Sequence, residues 1–207
     1  MKAISLVFIN IQVLFSQNLF FSEYVEGSSN NKYLEIFNGG SESISLADFQ
    51  LINCSNGCTS WERTHSFTEN TNLVTHAVWV VCSTGSDPAI LSECDQTIAN
   101  NSIFNGDDAW ALQQISTNNI LDIIGVIGDD PGSGWEVAGI SNATKDHTLI
   151  RKEGVESGVG ENWSEAAGTN TDDSQWTVKD KDDFSGIGSH VCSACSDSVS
   201  VCNNTTA

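Results

Sequence analysis

Adjacent aspartates are the densest potential chemistry in this sequence. Asp107-Asp108, Asp129-Asp130, Asp172-Asp173 and Asp182-Asp183 each place two carboxylates side by side. Calcium takes about six to eight oxygens from carboxylates, carbonyls and water, commonly at loops. Asp107, Asp108, Asp129 and Asp130 are therefore candidate ligands for a shallow calcium site. No Asp-X-Asp-X-Asp-Gly loop accompanies them. Aspartate also forms turns by bonding its own backbone two residues on, which is the competing reading.

Tryptophan is the second class. Trp79 and Trp110 lie in apolar strings and read as core. Trp61, Trp135, Trp163 and Trp176 sit in polar, loop-like surroundings. Aromatic faces with polar neighbours can stack sugars. Alternatively, these four rings plug the ends of an apolar core.

Catalytic constellations are weak. The four histidines are far apart, and Asp146-His147 has only Ser141 or Ser189 as conceivable nucleophiles. No Gly-X-Ser-X-Gly elbow is present, and that motif is what exposes a hydrolase serine. The expectation is no enzyme, no catalytic residue and no certain cofactor. Arg151-Lys152, the one adjacent basic pair, reads as a solvated strand end.

Eight Lys plus Arg stand against 27 Asp plus Glu, a formal charge of -19. Phosphate-backbone binding needs clustered cations that displace counterions. Scattered bases in an acidic chain exclude that mode, and no nucleic-acid partner is expected. An anionic membrane surface is disfavoured likewise.

Seven cysteines and the N-terminus agree on export. Met1-Lys2 leads into AISLVFINIQVLF, and Ser16 is a small residue at a plausible cleavage point. Residues 1–16 read as a signal peptide. They are too short for a spanning helix, which needs roughly 20 apolar residues, and no later stretch spans a bilayer. In an oxidising compartment, cysteines at such spacings read as disulfides. Cys54–Cys58 around an Asn-Gly turn and Cys82–Cys94 are the expected pairs. The tail cysteines, Cys192, Cys195 and Cys202, leave an odd thiol, or a zinc site lacking a fourth ligand other than His190. Six Asn-X-Ser/Thr sequons are present, including Asn53, and matter only in a eukaryotic source.

The elements that must position these groups are short strands. Residues 19–25, 33–38, 49–53, 77–82 and 148–152 read as strands, and 109–115 with 120–125 as a hairpin across Ser-Thr-Asn-Asn. Pro88 to Glu93 reads as a helical turn. Gly27 and Gly39-Gly40 are expected to supply turn conformations closed to other residues. No long stretch carries a helical stripe. The pattern is all-β: a sandwich or barrel over 17–152, an extended wrap over 153–190, and a small polar tail over 191–207.

Specific strings then become recognisable. LFFSEYVEGSSNNKYLEIFNGG (19–40), IFNGDDAWALQ (103–113), ILDIIGVIGDDPGSGW (120–135) and ATKDHTLIRK (143–152) resemble successive segments of the lamin-tail domain in its secreted form. AGTNTDDSQWTV (167–178) and FSGIGSH (184–190) resemble its closing region. The resemblance implies an immunoglobulin-like β-sandwich. It also implies a secreted, non-enzymatic module for binding, adhesion or tethering to an extracellular protein or glycan. A carbohydrate-binding module, or an accessory domain of an extracellular nuclease or other hydrolase, are the alternatives. The nuclear-filament branch carries a coiled-coil rod; no heptads occur here, so that role is not transferred.

Overall fold

The computed structural model describes residues 18–100 and 104–195. The expected signal peptide, Cys202 and the last two sequons lie outside them. Two sheets face each other. The larger is built from β1 (Leu19–Glu26), β2 (Lys32–Asn38), β7 (Val78–Ser83), β8 (Gln96–Ile98), β11 (Thr148–Arg151) and β12 (Trp176–Lys179). Their order across the sheet is β12-β11-β1-β2-β7-β8. The smaller has the order β10-β9-β4-β5 and is built from β4 (Phe49–Cys54), β5 (Arg63–Ser66), β9 (Ala109–Gln114) and β10 (Ile120–Ile124). A third ribbon pairs β3 (Ile44–Ser45) with β6 (Asn72–Leu73). The all-β immunoglobulin-like expectation holds.

β1 and β2 are buried along their whole length, because the larger sheet is covered on both faces. Leu19, Phe21, Tyr24, Leu34 and Ile36 join the main core with Leu51, Trp110, Leu112 and Ile124 of the opposing sheet. Val25, Tyr33, Val80 and Cys82 point the other way, into a second apolar cluster with Ile90, Phe184 and Ile187. This two-sided burial explains why LFFSEYV reads as apolar and only loosely alternating. A bulge between Phe21 and Glu23 shifts the alternation, so that Phe21 and Tyr24, three residues apart, both face the main core.

The outer cover is a strap, residues 182–190. The Asp182 carboxylate accepts from the Ser28 amide at 2.7 Å, and Phe184 leans on Tyr33. His190 packs edge-on against Phe37, with ring centroids 4.8 Å apart. Gly27 is needed here for close approach rather than for a left-handed turn. A Cβ on it would sit 2.6 Å from Asp182 Oδ1 and 2.7 Å from the Asn31 carbonyl. Gly39 likewise has no positive φ, so the expectation of special turn conformations at these two glycines is corrected.

Residues 153–190 are more than a wrap. They hold α2 (Trp163–Ala167) and β12, which pairs along β11 from Arg151↔Trp176 to Thr148↔Lys179. α1 (Pro88–Leu91) is the expected Pro-led helical turn. Trp110 is core as expected, whereas Trp79 is only half-buried.

Among the described residues, three disulfides staple the chain. Cys54–Cys58 and Cys82–Cys94 are the expected pairs, and Cys192–Cys195 is the third. The last uses both cysteines that a tail zinc site would need as thiolates, which removes that alternative.

Candidate functional site

At the Cys54–Cys58 end, four loops converge. Asn56 and Gly57 take positive φ, 48° and 69°, to turn the short disulfide loop. The Asn56 amide then donates to Asp108 Oδ1 at 3.1 Å. A Cβ on Gly57 would lie 2.7 Å from the Asp130 side chain, so glycine lets this loop dock on residues 128–130. The Gly128 amide closes the contact by donating to the Cys58 carbonyl at 2.9 Å.

The calcium candidates gather at this end but are occupied by turn chemistry. Asp130 Oδ1 accepts from the Gly132 amide at 2.8 Å. Asp129 Oδ2 lies 3.4 Å from Trp135 Nε1. The Asn105 amide nitrogen, turned to the carboxylates, donates to Asp107 and, at 3.1 Å, to Asp108 Oδ2. Burial raises the Asp107 and Asp108 carboxyls above their ordinary value; Asp130 adds to this at Asp107, and Asp107 at Asp108. Among the described residues, no three His, Cys, Asp or Glu side chains stand close enough to hold a metal ion.

Beside these aspartates lies a polar cleft of about 360 Å³. Asn30, Asn56, Asn100 and Asn105 line it, with Lys32, Arg63 and Asp108. Lys32 is fixed by Glu26 Oε1 at 2.8 Å and the Phe104 carbonyl at 2.7 Å. Arg63 is exposed at the start of β5, with Nη1 3.2 Å from Ser55 Oγ. Such a surface offers donors from amides and a guanidinium, and acceptors from amides and one carboxylate. It offers no nucleophile held by a base. Sequence reasoning missed the cleft because its residues come from three separate loops and the first residues of β2 and β5.

The other singled-out residues are spent on structure. Trp135, Trp163 and Trp176 are buried, at 7%, 4% and 1% exposure, which leaves no open ring face for a sugar. Their reading as stacking residues is corrected: they fill the core, because its ends must be closed. Trp61 alone of the four is half-exposed. Asp146 Oδ1 pairs with Lys181 Nζ at 2.5 Å, and His147 Nδ1 faces the Lys145 carbonyl at 2.7 Å. Asn53 is buried beside His65, so its sequon has no room for a glycan. Arg151 is not a solvated strand end but fully buried.

A family model for the lamin tail domain matches residues 15–128. The chain belongs to the lamin tail domain family. Lamin tail domains are non-catalytic immunoglobulin-like sandwiches, in keeping with the two sheets described above. The match stops before β11 and β12, although both strands extend the larger lamin-tail sheet. No curated protein matches the chain. Among the described residues, no helix is long and apolar enough to cross a membrane.

Proposed function

We propose that this lamin tail domain is a secreted, non-enzymatic binding or tethering module, and that it engages an extracellular partner through the polar cleft at the Cys54–Cys58 end. The observation that carries this reading is compositional and geometric together. Two of only eight basic residues, Lys32 and Arg63, line one cleft with four asparagine amides. A partner that alternates hydrogen-bond donors and acceptors, such as an extracellular polypeptide, fits that lining. The export half of the proposal is supported by the N-terminal signal pattern and by three disulfides.

Immobilised full-length protein exposed to its native extracellular material is expected to retain a partner that Arg63→Ala releases at unchanged melting temperature. Equal retention by the variant would move the interface elsewhere. Turnover of phosphodiester or ester substrates by the purified protein would overturn the non-enzymatic reading.

A further inference from the structure

On the outer face of the larger sheet, Glu23 of β1 stands directly across from Glu35 of β2. Both are buried beneath the 182–190 strap. Glu35 is well served: Ser22 Oγ donates to its Oε1 and the Gly188 amide to its Oε2, each at 2.7 Å. Glu23 is not. No well-formed hydrogen bond reaches either of its oxygens, and the neighbouring Tyr33 hydroxyl offsets only part of the effect of burial. The strap backbone presses on this carboxylate. A Cβ on Gly186 would lie 3.1 and 3.3 Å from its two oxygens.

Among the described residues, no cation acts on the pair. Glu35 and Tyr33 on β2 and Asp183 on the strap act on Glu23, and Asp95, just before β8, acts on Glu35. The cross-strand neighbours, Ile150 of β11 and Val80 of β7, are apolar. Two adjacent carboxylates withdrawn from water resist joint ionisation, so one keeps a proton. Calcium is the poorer solution here, because it wants about six to eight oxygens and the strap backbone already crowds Glu23.

We propose that Glu23 and Glu35, buried side by side, act as a pH-sensitive latch for the 182–190 strap, closed while they hold their protons and loosened as pH rises past neutrality. Burial, with Glu35 adding, pushes the Glu23 carboxyl up to about 8, and burial pushes Glu35 up to about 7. With the strap open, both return toward the ordinary glutamate value of about 4.3. A value raised in the closed state stabilises closure fully below the open-state value. That contribution is lost as pH rises through the closed-state value. The window therefore runs from the ordinary range to about 8. His190 opposes this only at the acid end: burial and Arg151 push it down to about 4, so its protonation on opening favours release below its ordinary value of about 6.5, and above that value the carboxylates act alone. Opening uncovers the apolar outer face at Val25, Tyr33 and Phe37.

Hydrogen exchange of strap amides, corrected for intrinsic rates, tests the latch. Wild-type protection is expected to fall at least about tenfold between about pH 5.5 and about pH 8.5, a pKa unit's worth of closure or more. Glu23→Gln, nearly isosteric and always neutral, is expected to weaken the pH dependence to the part that Glu35 alone supplies, and Glu23→Gln with Glu35→Gln to hold protection nearly constant from about pH 6.5 upward. Carboxyl-carbon NMR of the wild type supplies a readout independent of any variant, with Glu23 titrating near 8. The proposal is overturned if Glu23 titrates in the ordinary carboxylate range, or if Glu23→Gln keeps the wild-type pH dependence. It is equally overturned if calcium alone restores wild-type protection at the alkaline pH, since a cation and not a proton would then fill the site.

Discussion

Arg151 and Asp122 form a fully buried ion pair that ties β11 of the larger sheet to β10 of the smaller. Both partners make further hydrogen bonds. Arg151 Nε donates to the Phe21 carbonyl at 2.9 Å and Nη1 to Gln175 Oε1 at 3.0 Å. Its guanidinium carbon lies 3.9 Å from the Trp176 ring centroid. Asp122 accepts from the Phe21 amide at 2.9 Å and the Val159 amide at 3.2 Å. Removing one charge strands the other, at a typical cost of about 3–5 kcal/mol. Asp122→Ala is expected to lower unfolding free energy by that order in urea titration. Arg151→Met combined with Asp122→Leu is expected to recover part of the loss, because no buried charge is then left alone.

The Cys82–Cys94 bridge spans a sequence separation of 12 and ties β7 to the chain leaving α1. Loop closure of that size contributes about 3 kcal/mol by restricting the unfolded chain. Replacing both cysteines by alanine is expected to lower the melting temperature by calorimetry. Cys54–Cys58, with a separation of 4, closes a much shorter loop and is expected to cost less.

Calcium is expected to leave the melting temperature where chelator leaves it. Asp129 and Asp130 already serve Trp135 and Gly132, and Asn105 bridges Asp107 and Asp108. A rise of several degrees in millimolar calcium would show that these side chains rearrange into a cation site.

Trp163→Ala and Trp176→Ala are expected to destabilise by about 3–5 kcal/mol, the cost of emptying a large aromatic site. Trp61→Ala, at a half-exposed position, is expected to cost far less. Denaturant titration reads the first effect. Release from an insoluble glycan at unchanged stability would instead mark a ring as a ligand platform.

Much of the framework was legible. β1, β2, β4, β7, β9, β10 and β11 lie within a residue or two of the expected spans, because apolar alternation and Gly or Asn turns fix them. The short strands were not. RTHS of β5 and QTI of β8 carry little hydrophobic signal; their partners β4 and β7 decide them. Arg151 looked solvated because its neighbour is Lys152, whereas the carboxylate that permits its burial lies 29 residues away. The amide-lined cleft left no trace for a similar reason. Lys32, Asn56, Arg63 and Asn105 meet only once the sheets have formed.

The place of β1 in the larger sheet governs the order in which the molecule can be made. β1 is an interior strand, flanked by β2 and by β11, which begins at Thr148. One edge of β1 must wait for more than a hundred residues of later chain. A nascent chain halted at residue 128 would hold the family-matched segment yet leave that edge bare, an invitation to pair with another copy. Completion of the larger sheet is thus held back until β11 has been delivered.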